Sequence, residues 1–291
     1  IEHAAVLRSA EDLARPMREA PVAANGRLDL VAFEGLLEGA AMVSVMAANN
    51  ETGVIQPLQE AARMATERGL PVHSDAVQMM GKGPLNVREL GVDFLSLSAH
   101  KFHGPKGVGA LYAKRGLRFY PQLRGGGQEG GRRAGTENVA GIVGMGVAAR
   151  LARENSQSGE AMRLMRDRFE SKLLAELGGV RVNGDLRHRL PNTSHLSFEG
   201  CEAVELIQLL DQAGLECSAA SACLSGKIRP SHVQLAMGFD SAHGRSSLRF
   251  SFSRLNAEAD AWQAAEIVIS CVNKLRDGKR DGVTPPSCNL R

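Results

Sequence analysis

Apolar and polar positions change period repeatedly along this chain, and the changes divide it into helix-like and strand-like segments. A short apolar run, Met42–Met46, leads through a polar turn to residues 57–69, where Leu58, Ala61, Ala62 and Ala65 form one stripe at helical spacing. Pro57 suits the first helical position and Gly69 the residue past the end. Leu70–Ser74, Phe94–Ser98 and Val108–Ala113 are apolar runs of strand length. Short strands alternating with helices predict an α/β fold with a mostly parallel, buried sheet. Residues 139–154 and 160–177 predict two longer helices. Beyond them, strand-like Val180–Val182, Ser194–Phe198, Leu215–Ser218 and Leu248–Phe252 interleave with helix-like segments at 202–213, 231–237 and 257–275, which predicts a smaller α/β unit. The polar stretch Asn155–Gly159 marks the expected boundary between a first domain, 1–155, and a second, 156–276. Residues 277–291 are expected to form a frayed tail.

The length of 291 residues agrees with two domains at about 150 residues each. A hydrophobic share of 43% supplies a core without help from disulfides or structural metal. Lys and Arg number 35 against 32 Asp and Glu, interspersed, so a basic nucleic-acid surface is not expected. No apolar run reaches the ~18 residues of a membrane span. Glu2, His3, Arg8, Glu11 and Asp12 interrupt any signal-peptide pattern, and the expected location is cytoplasmic. The five cysteines, an odd number without a Cys-x-x-Cys pair, argue against a disulfide framework or a metal site. Cys201, Cys217 and Cys271 have apolar or helical neighbours and read as small buried hydrophobes, and Cys288 lies in the tail. Cys223, in the small-residue loop Ser218–Gly226, is the one placed to react.

Several further segments could carry chemistry, each with a plainer alternative. Ser98-Ala99-His100-Lys101 ends a strand, where open α/β sheets bind ligands. Lys101 there suits a Schiff base, a phosphate contact or plain surface charge. Asp75, in His73–Gln78, could face a protonated ring nitrogen or cap a turn. Asn49-Asn50-Glu51-Thr52-Gly53 could donate to a ligand or simply turn the chain. The glycine-rich run 125–135 lets backbone approach an anion but lacks the P-loop spacing, which disfavours a P-loop or dinucleotide-binding protein. Arg249, inside a strand-like alternation, could grip a carboxylate or sit on an edge.

Taken together and in order, these segments resemble the cysteine desulfurases that depend on pyridoxal 5'-phosphate (PLP), within the class V aminotransferases. The resemblance rests on residues 2–7 (EHAAVL), 48–57 (ANNETGVIQP), 73–78 (HSDAVQ), 96–112 (SLSAHKFHGPKGVGALY), 125–144 (GGGQEGGRRAGTENVAGIVG), 218–226 (SAASACLSG) and 246–254 (SSLRFSFSR). It implies a fold-type I PLP-dependent transferase whose Lys101 carries the cofactor. Asp75 would pair with the pyridine nitrogen, and Gln78 and Asn50 would donate near the ring hydroxyl. Ser98 and His100 would hold the phosphate, with Thr136 donated across a homodimer interface. His3 would stack on the ring and move protons, Arg249 with Asn50 would bind the substrate carboxylate, and Cys223 would take the sulfur.

The implied reaction turns L-cysteine into L-alanine. Lys101 removes the α-proton and the Cys223 thiolate attacks the substrate sulfur, leaving a persulfide for an acceptor or scaffold protein in iron–sulfur cluster assembly or tRNA thiolation. Neighbouring possibilities are a selenocysteine lyase, another class V lyase or aminotransferase, and, from a different class, a non-catalytic remnant or scaffold. The family's threonine-bearing phosphate turn has no match near residues 1–40, so a first domain lacking about a quarter of the usual protein is expected.

Overall fold

The computed structural model describes residues 1–13, 15–155, 157–219, 223–224, 227–228 and 231–280, with residues 223–224, 227–228 and 279–280 described as backbone alone. The first half runs α1 (Ala4–Glu11), α2 (Leu30–Gly35), β1 (Val43–Ser44), α3 (Leu58–Thr66), β2 (Val72–Asp75), α4 (Val87–Leu90), β3 (Phe94–Ser98), a 3₁₀ turn (Ala99–Phe102), β4 (Gly109–Ala113), the single turn α5 (Gln128–Gly131) and α6 (Val139–Glu154). Strand order is β1-β2-β3-β4. The first three strands are parallel, and β4 returns antiparallel to β3 with Ser98 opposite Gly109. The sheet is thus parallel-rich, as expected, with an antiparallel edge. The apolar stripe of α3 accounts for its packing: Leu58, Ala61, Ala62 and Ala65 are all buried, against Val43, Val45, Val72 and Leu95.

The second half continues α7 (Ser158–Glu176), β5 (Val180–Val182), β6 (Thr193–Phe198), α8 (Ala203–Gln212), β7 (Ser218–Ala219), β8 (Cys223–Leu224), β9 (Lys227–Ile228), α9 (His232–Ala236), α10 (Ser241–Arg245), β10 (Ser247–Ser251) and α11 (Glu258–Arg280). Its sheet, β5-β6-β10-β7, is antiparallel throughout. Successive strand residues face opposite sides, so one side carries Leu196, Phe198, Leu248 and Phe250 into a core shared with Phe169, Leu206 and Val268 of the helices. The other side carries His195, Ser197, Ser247 and Arg249. A hydrogen-bonded network joins part of this side: Asn183 Nδ2 donates to Ser197 Oγ at 2.7 Å and lies 3.0 Å from His195 Nδ1, Ser197 Oγ lies 2.8 Å from Ser247 Oγ, and His243 Nε2 lies 3.0 Å from Asn183 Oδ1. His195 Nε2 and Arg249 Nε on the same side are buried without a hydrogen-bond partner among the described residues, exceptions to the usual pairing of buried polar groups.

Several expected bounds shift. The strand expected at 70–74 is Val72–Asp75, because Leu70 closes the helix end by donating its N–H to Ala65 O. The strand expected at 215–218 is Ser218–Ala219, where β10 provides the partner. The last helix continues to Arg280 instead of ending near 275, so the first residues of the expected tail are helical. Cys288 lies outside the described residues. Among the described residues no helix is long and apolar enough to cross a membrane.

Candidate active site

Three loops leave the carboxyl ends of β1, β2 and β3 side by side, and they carry Asn50, Asp75 to Gln78, and His100 to Lys101. Lys101 sits on the 3₁₀ turn between two buried anchors, Ala99 and Phe102, which pack on Ala148 of α6. The turn ends at His103, whose backbone is left-handed with φ of 68°. A non-glycine residue in that region costs energy and occurs where the surrounding structure fixes it. Gly104 then passes so close that a Cβ would lie 2.9 Å from Ala99 O. Lys101 therefore has a stiff backbone and a free side chain.

The Asn50 loop is equally constrained. Asn49 Oδ1 accepts from the N–H groups of Glu51 and Thr52 at 2.9 and 3.0 Å, an Asx turn. Gly53 has φ of 75°, and a Cβ there would lie 2.8 Å from the Thr193 Cβ of β6. The Arg249 guanidinium reaches this loop from β10: Nη1 donates to Asn50 O at 2.6 Å and Nη2 to Ser218 Oγ at 3.2 Å. Burial lowers the Arg249 pKa, against the pull of Glu51. Glu51 is buried, accepts from Ser231 Oγ at 2.8 Å, and has its pKa raised by burial.

A cavity of about 290 Å³ opens between the loops and the second sheet, lined by Asn50, Gln78, Lys82, Lys101, Arg249 and Arg254 among others. Its described lining holds four Lys and Arg residues and no carboxylate, so it favours an anionic guest. Desolvation, followed by the Arg249 charge, holds the Lys101 ammonium below its ordinary pKa. That brings Lys101 nearer to the free-amine form that a nucleophile or base requires.

The structure brings Lys101, His100, Gln78, Asn50 and Arg249 to this cavity. Ser98 stands behind His100, its Oγ 2.9 Å from His100 Nδ1. Asp75 is buried at the end of β2, accepting from Val77 N at 2.9 Å, one strand from the lysine turn. His3 and Thr136 do not line the cavity. His3 caps α1, its Nδ1 accepting from Ala5 N, and Thr136 is exposed in the loop before α6. The Cys223 backbone belongs to the short β8–β9 ladder, and its side chain lies outside the described residues. Sequence reasoning missed Lys82, His103 and Arg254, all on the cavity wall. For Lys82 the available signal was a lone cation four residues after Gln78, in an otherwise apolar and glycine stretch.

The aminotransferase class-V sequence profile matches residues 1–263, and the chain belongs to that family. The cysteine desulfurase of Gluconacetobacter diazotrophicus is 48% identical over 260 residues, covering 88% of this chain and 64% of that protein. The cysteine desulfurase NifS of Azotobacter vinelandii is 44% identical over 288 residues, covering 95% and 70%. Within the family the chain groups with these cysteine desulfurases, and it spans about two thirds of their length. A solved NifS-like protein superposes with a TM-score of 0.87 at 35% identity, over 94% of this chain and 73% of that one. Another solved structure, described as SspA in complex with cysteine, gives 0.73 at 29% identity, over 88% and 73%.

Proposed function

We propose that this chain is a PLP-dependent cysteine desulfurase, converting L-cysteine to L-alanine and holding the sulfur as a persulfide on Cys223. The observation that carries the reading is one cavity with Lys101 and Arg249 on its wall and Asn50, Gln78 and His100 beside them. The residues fit PLP. A cationic wall without carboxylates suits a phosphate, and a free lysine at a strand end suits the aldehyde. Asp75 offers a buried carboxylate one strand away from that lysine for the ring nitrogen. Bound there, PLP supplies the electron sink that weakens bonds at the substrate α-carbon.

The chain's own residues do the rest. Arg249 holds the substrate carboxylate with the guanidinium N–H groups left free by Asn50 and Ser218. Lys101 takes the α-proton and returns it. The Cys223 thiolate attacks the substrate sulfur as the carbon–sulfur bond breaks. A sulfur–sulfur bond forms, the carbon fragment leaves as alanine, and the thiol's proton ends on that alanine, so no outside oxidant is needed. The cysteine held in the related SspA structure supports this substrate class.

The same reading assigns residues 1–155 to the cofactor domain and 156–276 to the domain bearing the cysteine loop. By the family resemblance His3, here the cap of α1 and outside the cavity lining, is assigned to the ring, and Ser98 with His100 to the phosphate. A homodimer in which Thr136 serves the partner's phosphate is supported by the α6 face beginning three residues later, where Val139, Ile142, Val143 and Val147 are exposed. The work is cytoplasmic, and a sulfur-acceptor protein completes it.

The test is Cys223→Ala in the chain loaded with PLP. The visible band of the bound cofactor persists while alanine formation from cysteine stops. Alanine formed at the unaltered rate would remove Cys223 from the reaction.

A further inference from the structure

Lys82 lies outside every motif used so far, yet it lines the cavity. It is brought there by a tight turn after β2, in which Met79 N donates to Ala76 O and Lys82 N to Met79 O. Its Nζ donates to Gln78 Oε1 at 2.7 Å. Burial, with the charges of Lys101 and Arg249, pushes its pKa down to about 8. No carboxylate pairs with Lys82 among the described residues. A half-buried cation beside two others, with an amide as its partner, is an expensive arrangement for stability alone.

We propose that Lys82 is a positioning residue that locks the Gln78 side chain with its amide nitrogen toward the cofactor's ring oxygen. An ammonium has donors and no acceptor, so the amide oxygen must face it. The two ends of a glutamine amide differ little in shape, and without a neighbour to choose between them either can point inward. The Lys82 bond makes that choice, and the NH₂ end is left to donate into the cavity. The bond also polarises the amide and strengthens that donor. This inference rests on the cofactor reading above, in which Gln78 serves the ring hydroxyl.

The experiment titrates PLP into the cofactor-stripped chain, reading the dissociation constant and the pH midpoint of the visible band. For Lys82→Met, binding weakens roughly tenfold, the loss of one hydrogen bond to a charged group. The midpoint moves up by about one pH unit, because a donor on the ring oxygen favours its bare anion. Gln78→Ala gives shifts of the same sign, and adding Lys82→Met to it produces no further change. Lys82→Arg, which keeps the donor, retains most of the affinity and the original midpoint. A thermal melt is recorded for each variant, and if Lys82→Met is unfolded the Lys82→Arg and Gln78→Ala pair carries the test. The inference is overturned if Lys82→Met shifts the midpoint equally with and without Gln78, since the effect is then charge alone. It is also overturned if both readings stay at their original values. A parent chain that takes up no PLP overturns the cofactor reading itself, a result separate from any difference among variants.

Discussion

The two sheets supply their functional groups in different ways. The parallel-rich sheet offers Asn50, Gln78 and Lys101 from loops beyond its strand ends, with its core behind them. The antiparallel sheet offers Arg249 from within β10, between Leu248 and Phe250, which both point into the core. A loop residue can be exchanged without touching the packing, whereas a strand residue shares its backbone register with core neighbours on both sides. Chemistry and stability should therefore separate cleanly in the first sheet and overlap in the second.

The sharpest test of this separation is Lys101→Ala. Turnover should fall to the background rate while stability changes by about 0.5 kcal/mol or less, as for other exposed side chains. A large drop in melting temperature would break the contrast. Its mirror image is Phe198→Ala, fully buried under the second sheet, which should cost about 3–5 kcal/mol by denaturant unfolding.

Gly53→Ala comes next, because this loop is pinned to β6. The left-handed backbone and the Thr193 contact should together cost about 1–3 kcal/mol. It should also raise KM for cysteine, since the Asn50 carbonyl that holds Arg249 would move. Arg249→Lys replaces a planar fork by a point charge, and KM should rise about tenfold with PLP retained. Unchanged kinetics would place Arg249 outside the substrate site.

The effect that is smallest near neutral pH, and grows only on acidification, concerns titration. Burial pushes the pKa of His195 down to about 3, with Arg249 adding to the shift. The unfolded chain binds a proton near pH 6.5 that the folded chain refuses, so stability falls as pH drops from about 6.5 toward 3. The slope from this one group is at most about 1.4 kcal/mol per pH unit. In His195→Asn that share of the slope should vanish, as measured by unfolding at a series of pH values.

Much of this was legible in the residues. The α3 stripe and the β3 segment follow directly from period, and α6 matches its expected bounds of 139–154. The antiparallel return of β4 was not legible, because the apolar run Val108–Ala113 carries no mark of strand direction. Leu215 looked like strand by composition, but it packs from the loop after α8, and the β10 partner decides where pairing starts. In the site, residues at strand ends stood out because polar groups there interrupt apolar runs. Lys82 did not stand out, since one lysine in a turn has the same sequence signature whether it faces water or a neighbouring amide. The polar face of the second sheet was equally hidden, because Ser and His alternating with Leu and Phe describe a wet surface as well as a buried one.

The Arg249–Asn50 bond has a consequence for motion. With Glu51 accepting from Ser231 close by, the Asn49–Gly53 loop is bonded to β10 and to the start of α9. The residue proposed to grip the substrate is thus also one of the bolts between the two sheets. A carboxylate seated on Arg249 would brace the joint it sits in, and spreading the joint would loosen the carboxylate. Affinity and stiffness become two readings of one free energy, so occupancy could be followed by how slowly the amides along β10 exchange their hydrogens.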